Sequence, residues 1–118
     1  MEKKHLEKFI SKEMRSKIAR YPILGEVIYE SLAAICALLE ETKNSYTLVA
    51  YVRESEDRLQ ENVLHIQMRF KNPHERDSLW NRASEKLAEN IHQGIKKATD
   101  PQEKIEIENI LCAVRSEK

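Results

Sequence analysis

Residues 99–118 read TDPQEKIEIENILCAVRSEK, and the half that begins at Lys104 decides the fold. Ile107, Ile110, Leu111 and Val114 recur at three- and four-residue spacings, which puts them on one side of a helix. Asp100 and Pro101 ahead of them suit the N-cap and N1 positions of that helix. Yet NILCAVRS (109–116) is also a short apolar run of the kind a buried strand uses, and it echoes TLVAYVRES at 47–55. The cap signals tip residues 104–115 toward a helix. As a strand, the same segment would make 46–116 a β-β-α-β unit and give a third strand to a hairpin that is marginal alone.

Upstream of this segment, KNPHE (71–75) has the grammar of a helix start. Asn72 is the N-cap, Pro73 takes N1, and Glu75 at N3 can reach back to the cap, as in a capping box. The polar cluster FKNPHERDSL (70–79) is thereby explained without a site, and Asp77 suits the first turn of a helix dipole. The helix should run from Pro73 to about Ala98, with Trp80, Ala83, Leu87, Ile91, Ile95 and Ala98 as its buried stripe. Gly94 weakens it by about 1 kcal/mol relative to alanine and invites close packing there.

Two strands precede that helix. YTLVAYVRE (46–54) and NVLHIQMRF (62–70) are rich in β-branched and aromatic residues, and SEDRLQE (55–61) is the charged loop of a hairpin between them. The second strand alternates. Leu64, Ile66, Met68 and Phe70 point one way, and His65, Gln67, Arg69 and Lys71 the other. Before the hairpin, ILGEVIYESLAAICALLEE (23–41) is apolar all round from Leu32 to Leu39, the mark of a helix buried on several sides. Residues 2–19 form a first amphipathic helix through Leu6, Phe9, Ile10, Met14 and Ile18, and Pro22 breaks the chain at Tyr21. The expected fold is one α+β domain over 1–118. It has two N-terminal helices, an antiparallel β-hairpin, a long third helix and a C-terminal helix or strand, with the helices on one face of a small antiparallel sheet.

Composition narrows the function. The chain has 118 residues with 20 basic and 20 acidic side chains, so no global field draws it to nucleic acid or to an anionic membrane. Charge is uneven along it: residues 1–20 carry net +4 and residues 21–61 net −5, a pattern that suits docking between segments or subunits. Its N-terminus has no apolar signal core, and the longest uninterrupted apolar run, Leu32–Leu39, is far short of a membrane span. A cytoplasmic protein is expected. Cys36 and Cys112 both sit in apolar runs and read as buried free thiols.

No catalytic motif stands out. His5, His65, His74 and His92 pair with neither each other nor a cysteine at zinc-ligand spacing; His74 and Asp77 offer two ligands, too few unless shared across a dimer axis. With only Gly25 and Gly94, no phosphate-cradling loop can form. A non-catalytic role is favoured over an enzyme, and no cofactor or metal is expected. The most informative surface is the polar face of the hairpin, where Tyr51, Arg53, His65, Gln67, Arg69 and Lys71 should gather. That set reads in two ways. Val49 and Tyr51 are apolar on a face that should be polar, and the central helix carries a surplus of apolar surface, so a homodimeric protein-interaction or regulatory module is the first reading. The alternative is a single-stranded RNA- or DNA-binding protein, with bases on Tyr51 and phosphates on Arg53, Arg69 and Lys71.

Overall fold

The C-terminal segment resolves as a helix followed by a strand. In the computed structural model, which describes residues 3–57 and 60–117, the chain runs through α1 (Lys3–Leu6), a 3-10 turn (Glu7–Phe9), α2 (Lys12–Arg20), α3 (Pro22–Glu41), β1 (Tyr46–Glu54) and β2 (Gln60–Met68). It continues through α4 (Pro73–Lys97), α5 (Pro101–Glu108) and β3 (Ile110–Ser116). The sheet order is β1-β2-β3. β1 and β2 form the expected antiparallel hairpin, whereas β3 lies parallel to β2, with Leu64 opposite Cys112. The sheet is therefore mixed rather than antiparallel, and the helix favoured over 104–115 ends at Glu108. The α+β class stands, with the helices packed on a small sheet.

Polar bonds at α5 explain that division. Asp100 Oδ1 accepts from the Gln102 backbone N–H at 3.0 Å, the cap the sequence implies. The helix then stops where Asn62, buried at the start of β2, donates from Nδ2 to the Glu106 carbonyl at 2.9 Å. That carbonyl is one of the orphan acceptors of the last helical turn. Lys17 Nζ reaches in from α2 to Asn62 Oδ1 at 3.0 Å and to Glu106 Oε1 at 2.9 Å. The Asn62 backbone N–H meets the Asn109 carbonyl at 2.9 Å, which is the first rung of the β2–β3 ladder. One turn earlier, the buried Glu103 carboxylate accepts from the Ile23 and Leu24 N–H groups at 2.8 and 3.2 Å. Tyr21 offers α3 no side-chain cap, so Glu103 supplies an anionic one from another helix.

The core lies between α3 and one face of the sheet. Leu24, Ile28, Leu32, Ile35 and Leu39 of α3 are fully buried with Leu64, Ile66 and Met68 of β2, and Leu6, Met14 and Ile107 close the edges. Among the described residues, α3 is the one helix long and apolar enough to cross a membrane, but here its apolar sides pack inside the protein. The apolar stripe of this helix is thus covered within the chain; among the described residues the large hydrophobic side chains most exposed are Trp80 and Ile105.

Local departures have local causes. The first helix expected over 2–19 (Glu2 lies outside the described residues) breaks at Ile10–Ser11. Ser11 Oγ caps α2 by accepting from the Met14 N–H at 3.2 Å, and the Ser11 N–H donates to the Ala50 carbonyl at 2.9 Å, covering part of the β1 edge. The hairpin loop is shorter than 55–61, and its Arg58 and Leu59 lie outside the described residues. In α4, Leu79 takes the buried position assigned to Trp80. The indole of Trp80 turns instead to the sheet edge and donates from Nε1 to the Cys112 carbonyl at 3.0 Å. Asn109 and Glu117 bond inward to β2, so the even-numbered groups of β3 face outward and the indole occupies one of them. This blunts an edge that would otherwise template further strands.

Two substitutions test the packing. A Cβ at Gly94 would overlap the Val27 Cγ2 methyl of α3, and valine in a helix is held to one rotamer. Gly94→Ala is expected to destabilise by about 1–2 kcal/mol in urea unfolding, overpacking outweighing the helix-propensity gain, and Val27→Ala should recover part of the loss. Glu103→Ala strands two N–H groups of α3 and should destabilise by about 1–3 kcal/mol, while Glu103→Gln, which keeps an acceptor, should lose less in the same measurement.

Candidate functional site

Of the residues expected on one face, Tyr51, Arg53, His65 and Gln67 lie within the strands, and Arg69 and Lys71 follow the end of β2. β1 and β2 alternate as anticipated, so Thr47, Val49, Tyr51 and Arg53 share a face with Glu61, Val63, His65 and Gln67. β3 extends this face with Leu111, Ala113 and Arg115, which the hairpin pattern alone could not show. The helices pack on the other side. The register sets the open face in rows: Thr47–Gln67–Arg115, then Val49–His65–Ala113, then Tyr51–Val63–Leu111, then Arg53–Glu61. Apolar groups and Tyr51 flank His65 in the two middle rows, and charged or polar groups close both ends. Val63 is fully buried yet stands apart from the main core cluster.

Arg53 and Glu61 form an ion pair across the strands, with Arg53 Nε at 3.1 Å from Glu61 Oε2. The carboxylate raises the Arg53 pKa further above its ordinary range. The arginine is therefore not a spare cation for a ligand. The Tyr51 and His65 rings lie 6.1 Å apart at 38°. His65 Nε2 is buried with no hydrogen-bond partner, and the pKa of the ring is lowered, first by burial and then by Arg115 and Arg53. The central histidine is thus held toward its neutral form.

Arg69 and Lys71 follow the last residue of β2 rather than lying within the strand. β2 ends at Met68, and both side chains lie past it, at the end of the sheet. There a cleft of about 650 Å³ opens between the C-terminal end of α3, the Asn44 turn and the first turns of α4. Met68, Leu38 and Leu79 are its buried apolar members, Phe70 is half-buried, and Arg69, Lys71, His74, Glu75 and Arg82 are charged or titratable groups on its exposed rim. The helix-start grammar is confirmed here, since Asn72 Oδ1 accepts from the Glu75 N–H at 3.1 Å. Glu75 reaches back one residue further than a capping box requires, to the Lys71 N–H at 2.6 Å.

Neither cysteine is poised for chemistry. Both are free and buried. Burial pushes the Cys112 thiol up to about 11, which keeps it protonated. Cys36 Sγ lies 3.3 Å from the Tyr46 hydroxyl; that hydrogen bond, with burial and the nearby Cys36 and Glu40 groups, raises the Tyr46 phenol to about 12. Among the described residues, no three His, Cys, Asp or Glu side chains converge as a metal site would require. No protein-family model matches the chain, and no curated protein or solved structure matches it.

The lowered His65 pKa fixes the sign of a pH effect. The unfolded imidazole takes a proton near 6.5, while the folded one resists it, so the stability this group permits is complete above that pH and is lost as pH falls below it. The urea midpoint of the wild type should therefore fall more between pH 7.5 and pH 5 than that of His65→Gln. Parallel curves for the two proteins would contradict the assignment.

Proposed function

We propose that the protein is a homodimeric interaction module whose copies associate through the open face of the mixed sheet. The observation that carries this reading is the apolar centre of that face, where the half-buried Val49, Tyr51, Leu111 and Ala113 surround the buried Val63 with no helix of the described residues over them. Sheets with parallel pairing are normally covered on both faces, because both faces are apolar. Here the parallel β2–β3 pair has a helical layer on one side only.

A second copy is favoured as the occupant for two reasons. The chain is formally neutral, so two copies carry no net repulsion. The ends of the face are also complementary. When two such faces stack with their strands antiparallel, the Arg115 row of one lies over the Arg53–Glu61 row of the other, bringing a guanidinium toward Glu61. Edge-to-edge pairing through β3 is disfavoured, because Trp80 already uses the Cys112 carbonyl. Gathering Arg53, Arg69 and Lys71 on one face carried the nucleic-acid alternative. Arg53 is engaged by Glu61, and Arg69 and Lys71 follow the end of β2, which leaves Arg115 as the unpaired cation within the strands of that face among the described residues.

Sedimentation velocity tests the reading. The wild type should sediment at twice the 13.9 kDa chain mass. Leu111→Glu, which sets a charge in the middle of the face, should sediment as a monomer with an unchanged circular dichroism spectrum. A monomeric wild type, or a Leu111→Glu protein that remains dimeric, would remove the open face as the interface.

A further inference from the structure

Past the end of β2 the surface is grooved in three directions. Clefts of about 650, 240 and 580 Å³ meet there, and Phe70 and Lys71 line all three. The largest combines an apolar floor with a polar wall. Met68, Leu38 and Leu79 are buried in the floor, and the half-buried Phe70 ring stands beside them. Asn44, Asn72 and Ser78 contribute amide and hydroxyl groups to the wall.

The charges of the cleft are unequally engaged. Its two carboxylates are occupied: Glu41 Oε2 accepts from Arg82 Nη2 at 3.2 Å, and Glu75 Oε2 accepts from the Lys71 N–H at 2.6 Å. The cationic ends of Arg69 and Lys71 take no part in a hydrogen bond or ion pair among the described residues, and both side chains are exposed. An aromatic ring thus stands between two uncommitted cations in sequence, at the mouth of a cleft whose volume is that of an ordinary small-molecule site.

We propose that this cleft binds a nucleoside phosphate, with the base against Phe70 and the apolar floor and the phosphate held between Arg69 and Lys71. A simple lipid acid would satisfy the floor and the cations but would make no use of the amide and hydroxyl groups of the wall. A base presents a flat apolar face to a ring and hydrogen-bonding edges to amides. The same chemistry is offered by a free mononucleotide and by one unit of a single strand, and the grooves that continue past Phe70 leave room for neighbouring units. The site lies at the end of the sheet, away from the apolar rows of the open face, and does not depend on dimerisation.

The test is a titration of the ¹⁵N-labelled full chain with AMP, UMP, hexauridylate and laurate, followed by backbone amide NMR shifts. AMP, UMP or hexauridylate should move the amides of residues 41–44, 69–72, 74 and 75, with an affinity that weakens as salt is added. Arg69→Gln with Lys71→Gln, and separately Phe70→Ala, should each weaken binding by about tenfold or more. The exposed cation pair can be removed without touching the core, and unchanged amide shifts elsewhere report an intact fold. Tighter binding of hexauridylate than of the mononucleotides assigns the site to a strand, and equal or weaker binding assigns it to a free nucleotide. The proposal fails if no nucleotide moves these amides, if laurate moves them and nucleotides do not, or if the Arg69/Lys71 variant binds as the wild type does.

Discussion

The amide of Asn62 is the constraint on which the architecture turns. It is fully buried at the start of the central strand, and each of its polar atoms has a partner on another element. Its nitrogen ends α5 by taking the Glu106 carbonyl, its oxygen draws in Lys17 from α2, and its backbone opens the ladder to β3. A buried amide satisfied from several directions specifies position in a way that apolar contacts do not, since any shift strands a donor or an acceptor. Glu103, one helical turn earlier, extends the same logic to α3. The short helix α5 thereby fastens α2, α3 and β2 to one another, although its own sequence has little amphipathic pattern.

Local grammar made much of this fold legible. The spacing in 23–41, the alternation in 62–68 and the Asn72-Pro73 and Asp100-Pro101 helix starts each state a structure in a few neighbouring residues, and α3, β1, β2 and α4 follow them closely. The C-terminal segment was ambiguous because it is two elements: its cap signals belong to α5 and its apolar run to β3, and the boundary is set by Asn62, more than forty residues away in sequence. Nothing local in the sequence marks Lys17 and Glu106 as a largely buried pair either, since they lie 89 residues apart. Trp80 fell at a core spacing, but its indole N–H requires a partner, and the free edge of β3 supplied one.

The candidate site shows the same division. Period two correctly set Tyr51, His65 and Gln67 on one face, because that depends only on each strand being extended. It extended that strand through Arg69 to Phe70, whereas β2 stops at Met68. The contribution of Leu111 and Ala113 to the centre of the face was invisible until β3 was known to lie beside β2. The hairpin pattern thus revealed a polar-edged surface, and the third strand gave it an apolar middle. Past Met68 the flat open face thus gives way to a concave surface lined by Arg69 and Lys71.

The parallel pairing of β2 with β3 also bears on the order in which the chain folds. β1 and β2 are joined by a tight hairpin, and α3 is long and helical by its own spacing, so both can form from local contacts. β3 can reach β2 only after α4 and α5 have crossed the helical layer, and the Asn62 bonds close with that step. Loop closure of this length must be met before its contacts return any energy, which makes it the slow event in a fold of otherwise short connections. Until it happens, β2 presents an unpaired apolar edge, and the early hairpin is the species most exposed to pairing with another chain.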